Sequence, residues 1–331
     1  MKFKLLTVPF LILLNYAGNV YAVNCSALGT TGNQTVSDSS CNFAVYGTWS
    51  TWSTGSLTVT STGIVQSASG AGLINNAVTG TLSNDGIIGT TRTSSTAYGL
   101  GIDFAVSLID NQSLGSISAD NASSGIQVGI NNAPTIDRIT NAGIISGGYY
   151  GINNSNGGTI NTITNNTGGT ITGANIYGIY NGSSSIGTIT NYGTISGPAG
   201  SGIYNAYTGA SIGTITNYGT ISGGSGGYAI YNASSNASIG TITNWGTLTG
   251  GINNGNGFSG PIISTVNNAQ NGLAYTGTLP SNYNVIITGS GYGSLVGSSI
   301  NGTTTFGVSS LSTLRTGTFL AALQGCLLYT S

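Results

Sequence analysis

Charge is nearly missing from this 331-residue chain: charged residues make up 3% of it, and neither His nor Glu occurs. Without His, no Ser-His-Asp or Cys-His nucleophile system can be assembled. Lys is confined to Lys2 and Lys4, and Arg92, Arg138 and Arg315 are too scattered to attract phosphate, which disfavours phosphate loops and nucleic-acid grooves. A carbohydrate-cleaving β-helix needs clustered carboxylates. The only candidates are Asp103, Asp110, Asp120 and Asp137, each in a different local setting and each readable as a solvated corner residue. The expectation is a protein that is not an enzyme and that holds no cofactor and no metal.

Long apolar runs are also missing. The single candidate, Leu5 to Leu14, follows Lys2 and Lys4 and precedes Val20-Tyr21-Ala22. It is shorter than the roughly 18 residues that span a bilayer, and its flanks suit a removable export signal cleaved after Ala22. Residues 1–22 are therefore set apart, and the chain from Val23 carries three Arg against six Asp, a formal charge of −3. Cysteine is scarce. Cys25 and Cys41 enclose fifteen residues, and in an exported chain a disulfide between them is expected; a metal site competes poorly without His, Glu or a second ligand pair.

What the chain does contain is repetition. Ile186 to Gly197, Ile-Gly-Thr-Ile-Thr-Asn-Tyr-Gly-Thr-Ile-Ser-Gly, returns as Ile212 to Gly223 and again as Ile239 to Gly250, with looser copies at Ile160 to Gly173 and Ile136 to Gly147. The offsets of 24, 26, 26 and 27 residues mark a solenoid whose units bury an apolar face only by stacking. Low charge with abundant Gly, Ser, Thr and Asn resembles a disordered composition, but β-branched and aromatic residues recur at fixed places, which argues for order.

Within one repeat, Thr188-Ile189-Thr190 and Thr194-Ile195-Ser196 alternate as half-buried strands, and Gly202-Ile203-Tyr204-Asn205 supplies a third. Gly193, Gly197 and Gly202 punctuate the corners, where positive φ is often needed. Three short strands per turn of about 26 residues predict an all-β fold, a right-handed parallel β-helix of about eight or nine coils, with eight coils spanning about 40 Å. The inward set is Ile189, Ile195 and Ile203, then Ile215, Ile221 and Ile230, then Ile242, Leu248 and Ile252. Val59, Leu82 and Ile109 are placed level with Ile139, Ile163, Ile189, Ile215 and Ile242, and Val266 opens a ninth unit. Asn191, Asn217 and Asn244 recur in one place and Asn181, Asn205 and Asn232 in another, which predicts amide ladders along the axis.

The ends differ in character. Residues 23–56, with Cys25, Cys41, Trp49 and Trp52, carry no clear repeat and read as an N-terminal cap; residues 57–275 form the repeat body. Residues 276–325 read as a C-terminal cap with longer strands at Leu279 to Thr288 and Asn301 to Val308. The last hexapeptide, 326–331, reads as non-native read-through.

The export signal, the Gly/Asn/Thr-rich coils built on Ile-Thr-Asn-Tyr-Gly-Thr-Ile-Ser-Gly and the cap around Pro280 to Val308 together resemble the passenger of a bacterial type V autotransporter. That resemblance implies display at the cell surface or outer membrane, or release outside the cell, by way of a C-terminal outer-membrane β-barrel; no barrel strands are seen in this sequence. The Gly-Asp-Ser-Gly stretch of protease passengers is not present.

Two outward patterns are candidate binding faces. Tyr180, Tyr204 and Tyr231 form one aromatic file, and Tyr192, Tyr218 and Trp245 another; such files hold sugars or partner surfaces, or stack to cover a corner. Thr188 and Thr190, Thr214 and Thr216, and Thr241 and Thr243, with Thr162 and Thr164, make a Thr-x-Thr array that is similar to those of ice-binding solenoids, or simply reflects β-branched propensity. The expected function is attachment or self-association without catalysis, the partner being a cell-surface or extracellular glycan or protein or a second copy of the chain. The alternative is a secreted ice- or surface-binding solenoid using the Thr face, and the third reading is a polysaccharide-active β-helix.

Overall fold

The computed structural model describes residues 33–37, 41–43, 50–52, 55–67, 71–75, 80–91, 97–119, 124–255, 260–313 and 323–324. The export signal, Cys25, Asp120 and residues 326–331 lie outside the described residues, and so does the expected Cys25–Cys41 pairing.

Alternating Thr and Ile, interrupted every few residues by Gly or Asn, produces strands too short to make anything but a coil. One coil runs through Ser185–Asn191, Thr194–Gly197 and Ile203–Ala206, and the next repeats it at Ser211–Asn217, Thr220–Gly223 and Ile230–Asn232. Stacking these coils generates three parallel sheets, here faces 1, 2 and 3, of 12, 9 and 12 strands. Nine three-sided coils result, from Gln34–Val36 on face 1 to Ile252–Asn254 on face 3. The fold is thus an all-β parallel solenoid, and the described residues contain no helix.

The core is a set of columns. On face 1, Leu57, Leu82, Ile109, Ile139, Ile163, Ile189, Ile215, Ile242 and Val266 are register partners and all are fully buried. Leu57, not Val59, therefore opens this column. Val59 pairs with Asn84, two residues further along. Both Leu57 and Val59 point inward, and a slip of two keeps every side chain on its face, so hydrophobicity alone does not separate the two registers. A second inward column, Ile160, Ile186, Ile212 and Ile239, shares face 1, so each strand of this kind buries two isoleucines and an asparagine. Each buried aliphatic side chain contributes on the order of 1.5–3 kcal/mol before entropy is subtracted.

Gly193, Gly219 and Gly246, at the corner after face 1, serve space rather than backbone conformation. Gly193, Gly197 and Gly202 are not among the residues with positive φ. A Cβ on Gly219 would lie 2.2 Å from the carbonyl oxygen of Gly193, and one on Gly246 would lie 2.1 Å from that of Gly219. Each coil thus rests its backbone on the glycine of its neighbour, and no side chain fits between. Left-handed backbone occurs elsewhere, at Gly168, Gly226 and Gly250 in the corners on either side of face 2, and at Asn156, Ser183 and Tyr207, with φ of 53°, 53° and 67°, in the corner from face 3 to face 1.

Beyond the ninth coil, no strand of face 2 occurs among the described residues. Face 2 ends at Thr247–Thr249, whereas faces 1 and 3 continue through Ile262–Asn268, Leu273–Thr278, Asn282–Val285, Leu295–Asn301 and Thr305–Val308. Residues 269–272 carry the chain from face 1 to face 3 in the first of these turns, and residues 286–294, folded back on themselves by the Ile287–Tyr292 bridge, do so in the second. Tyr275 and Tyr283, both fully buried, fill the narrowed interior.

Candidate binding faces

Asparagine, not charge, organises the corners behind both faces. Asn84, Asn111, Asn141, Asn165, Asn191, Asn217, Asn244 and Asn268 form one buried ladder in which each Nδ2 donates to the Oδ1 of the next at 2.7–3.1 Å. Asn154, Asn181, Asn205, Asn232 and Asn254 form a second at 2.8–2.9 Å. All amides point the same way, so each bond polarises the next. The two ladders begin where their register partner is a valine, Val59 before Asn84 and Val128 before Asn154. With no donor below them, the Oδ1 atoms of Asn84 and Asn154 are buried without a partner.

Each described carboxylate accepts a hydrogen bond from the following coil. Asp85 takes the backbone N–H of Leu114, Asp110 the hydroxyl of Thr140, and Asp137 the amide of Asn161. Asp103, itself buried, accepts the backbone N–H groups of Asn131 and Asn132, each at 2.7 Å, and the Asn131 amide at 3.0 Å. Burial pushes its acidity toward the neutral form, but these bonds outweigh it and hold the carboxyl below the usual range.

Face 3 carries the larger aromatic patch. Tyr180, Tyr204 and Tyr231 are register partners, and their rings meet in sequence at 5.8 and 5.1 Å. The patch is wider than this file. Tyr150 and Tyr177, also register partners, form a column beside it, and Tyr177 stacks on Tyr204 at 4.3 Å over the buried, small Ser201. Tyr149, Tyr207 and Tyr228 complete it, Tyr207 meeting Tyr180 edge-on at 6.4 Å. The added column is visible in the sequence once a four-residue block is aligned: Tyr150-Gly-Ile-Asn, Tyr177-Gly-Ile-Tyr, Ser201-Gly-Ile-Tyr and Tyr228-Ala-Ile-Tyr. Tyr177 and Tyr204 turn their ring faces to each other, and the Tyr180 ring lies along its strand over Gly182. Desolvation, reinforced by neighbouring phenols, pushes Tyr150, Tyr177, Tyr180, Tyr204 and Tyr231 above the usual tyrosine range.

The second file stands on the corner after face 1. Tyr192 and Tyr218 are 45% and 47% exposed and stack at 4.8 Å with 3° between ring planes. Trp245 follows them at the same corner position of the next coil, half-buried.

The threonine array is also wider than the sequence pattern indicated. Thr162, Thr188, Thr214, Thr241 and Thr265 are register partners in one column, and Thr140, Thr164, Thr190, Thr216 and Thr243 in the adjacent one. Chemically, the tyrosine patch offers aromatic rings and hydroxyls with no formal charge, whereas the threonine columns offer hydroxyls and methyls and run at one end into Arg138, the register partner of Thr162, and Asp110, that of Thr140. No protein-family profile, no curated protein and no solved structure matches the chain.

Proposed function

We propose that this chain is the exported, rod-like passenger portion of an autotransporter-like surface protein, with a structural and adhesive role and no catalytic one. Its partner is a cell-surface or extracellular glycan or protein, or another copy of the same rod, and not nucleic acid. Attachment to the outer membrane through a barrel belongs to this reading only by resemblance. The observation that supports it best is the combination of a ladder-stapled rod with a half-buried tyrosine patch that carries no charge. Aromatic surfaces give large contact area with little side-chain entropy to lose, and many weak contacts along a displayed rod add through avidity. Low net charge also removes the repulsion that keeps surfaces apart. Beads coated with the chain should aggregate or adhere to cell surfaces, and Tyr180→Ser, Tyr204→Ser and Tyr231→Ser together should abolish this while the far-ultraviolet β signature persists. Full aggregation by the triple variant overturns the reading.

A second reading is favoured by one observation, the two columns of five register-paired threonines on face 1. A regular array of hydroxyl and methyl groups suits an ice or other ordered surface. Thermal hysteresis that falls when Thr188, Thr214 and Thr241 become Tyr supports it; no hysteresis removes it.

A further inference from the structure

We propose that Tyr192 and Tyr218 form an oxidative cross-linking site, at which one-electron oxidation joins successive coils through a dityrosine bond. The two phenols stand at one corner position of adjacent coils, 26 residues apart in sequence. Their backbones are fixed there: the N–H of Tyr192 donates to the carbonyl of Asn165 at 2.7 Å, and that of Tyr218 to Asn191 at 2.8 Å. Behind them the Asn191 and Asn217 amides lock the same two coils together. The rings are parallel within 3° at 4.8 Å, and each is nearly half exposed. Exposure supplies what the chemistry needs: access for an oxidant, water to take the phenolic proton, and room for the rings to turn until their ortho carbons meet.

The oxidant is a peroxide, delivered through a haem peroxidase. Each phenol gives up one electron and one proton and becomes a phenoxyl radical; the two electrons and two protons reduce one hydrogen peroxide to two waters. The radicals couple through their ortho carbons, and the two hydrogens at the new carbon–carbon bond shift to the oxygens, restoring both aromatic rings. The product has lost two hydrogens in all. Face 3 is the less favourable place for this step although Tyr177 and Tyr204 are closer, because its rings are packed against several neighbours and burial opposes loss of their protons.

The test is to treat the full chain, at high dilution, with a haem peroxidase and hydrogen peroxide. Dityrosine fluorescence should appear in the monomer fraction, and peptide mapping should join the segment holding Tyr192 to that holding Tyr218. Tyr192→Phe and Tyr218→Phe, which keep the stacked rings but remove the phenol, should each abolish that same joined peptide and most of the monomer fluorescence. Three outcomes overturn the proposal: no dityrosine in the monomer, cross-links only between molecules, or a dominant joined peptide from face 3. Because the readout is a covalent product within one molecule, it is independent of whether the rod adheres to anything.

Discussion

The backbone N–H of Leu248 donates to the side-chain oxygen of Gln270 at 2.8 Å, and the Gln270 side-chain nitrogen donates to the Leu248 carbonyl at 3.5 Å. Leu248 is the middle residue of Thr247–Thr249, the last strand of face 2. Thr247 directs its N–H back to Gly219, so Leu248 is the residue that turns its backbone groups toward the open edge. One glutamine side chain thus stands where the next strand would pair, and blocks an edge that invites further strands.

Replacing Gln270 by Ala should leave the Leu248 N–H unpaired at the end of the core. Loss of a partner for a buried backbone donor costs about 1–3 kcal/mol. Equilibrium urea unfolding should show that decrease, and an unchanged midpoint would mean that the edge is satisfied by other means.

The amide ladders predict a dependence on position. Asn84→Val shortens a ladder from its first rung, moving the unpartnered oxygen from Asn84 to Asn111 without adding another. Asn217→Val interrupts the same ladder in the middle, taking the acceptor from Asn191 and the donor from Asn244. Valine fits the position, as Val59 and Val128 do at the ladder starts. The middle substitution should therefore cost about 1–3 kcal/mol more than the terminal one. Equal losses in paired denaturation curves would contradict the ladder account.

Stability should fall at alkaline pH. Tyr177, Tyr180, Tyr275 and Tyr283 are pushed above the usual tyrosine range chiefly by burial. In the window between the unfolded value of about 10 and the higher folded values, the folded chain holds more protons than the unfolded one. The stabilisation is complete below about pH 10 and is lost as the pH rises through the folded values. Unfolding free energies measured from pH 8 upward should be level at first and then decline, with the ultraviolet tyrosinate signal of these residues appearing late; a rise in stability above pH 10 has the wrong sign for this account.

How much of this was legible in the sequence depended on which groups repeat. The Ile-Thr-Asn-Tyr-Gly block recurs nearly unchanged and places the face 1 strands and the first ladder, and the Ile-Tyr-Asn block at Ile203 and Ile230 places the face 3 strands and the second. The slip between Leu57 and Val59 arose because either residue suits a buried position of period two. The loss of face 2 left no pattern at all, since a side chain of Gln270 replaces a strand and one glutamine in Ala269-Gln270-Asn271-Gly272 has no periodic signature. On the binding face, aligning the blocks on Tyr180, Tyr204 and Tyr231 hid the column of Tyr150 and Tyr177, which Ser201 interrupts.

Tyr207 combines a left-handed backbone, φ 67°, with 61% exposure and an edge-on contact to Tyr180. An L-residue of this size in that conformation is strained by about 1–2 kcal/mol, and Asn tolerates it better, as Asn156 does at the equivalent corner. Tyr207→Asn should therefore raise stability by about 1 kcal/mol while weakening bead adhesion. A variant that is both less stable and fully adhesive would show that the tyrosine is kept for packing alone.

The central claim is that the rod adheres through uncharged faces, and aggregation of coated beads across a salt series tests it most directly. Between ~0.01 M and ~1 M salt the screening length shrinks about tenfold, which would suppress any contact between charges. The account predicts aggregation that stays nearly constant over that range and vanishes in the Tyr180, Tyr204 and Tyr231 triple serine variant. Aggregation that collapses with salt, or that survives the triple substitution in a folded rod, would contradict it.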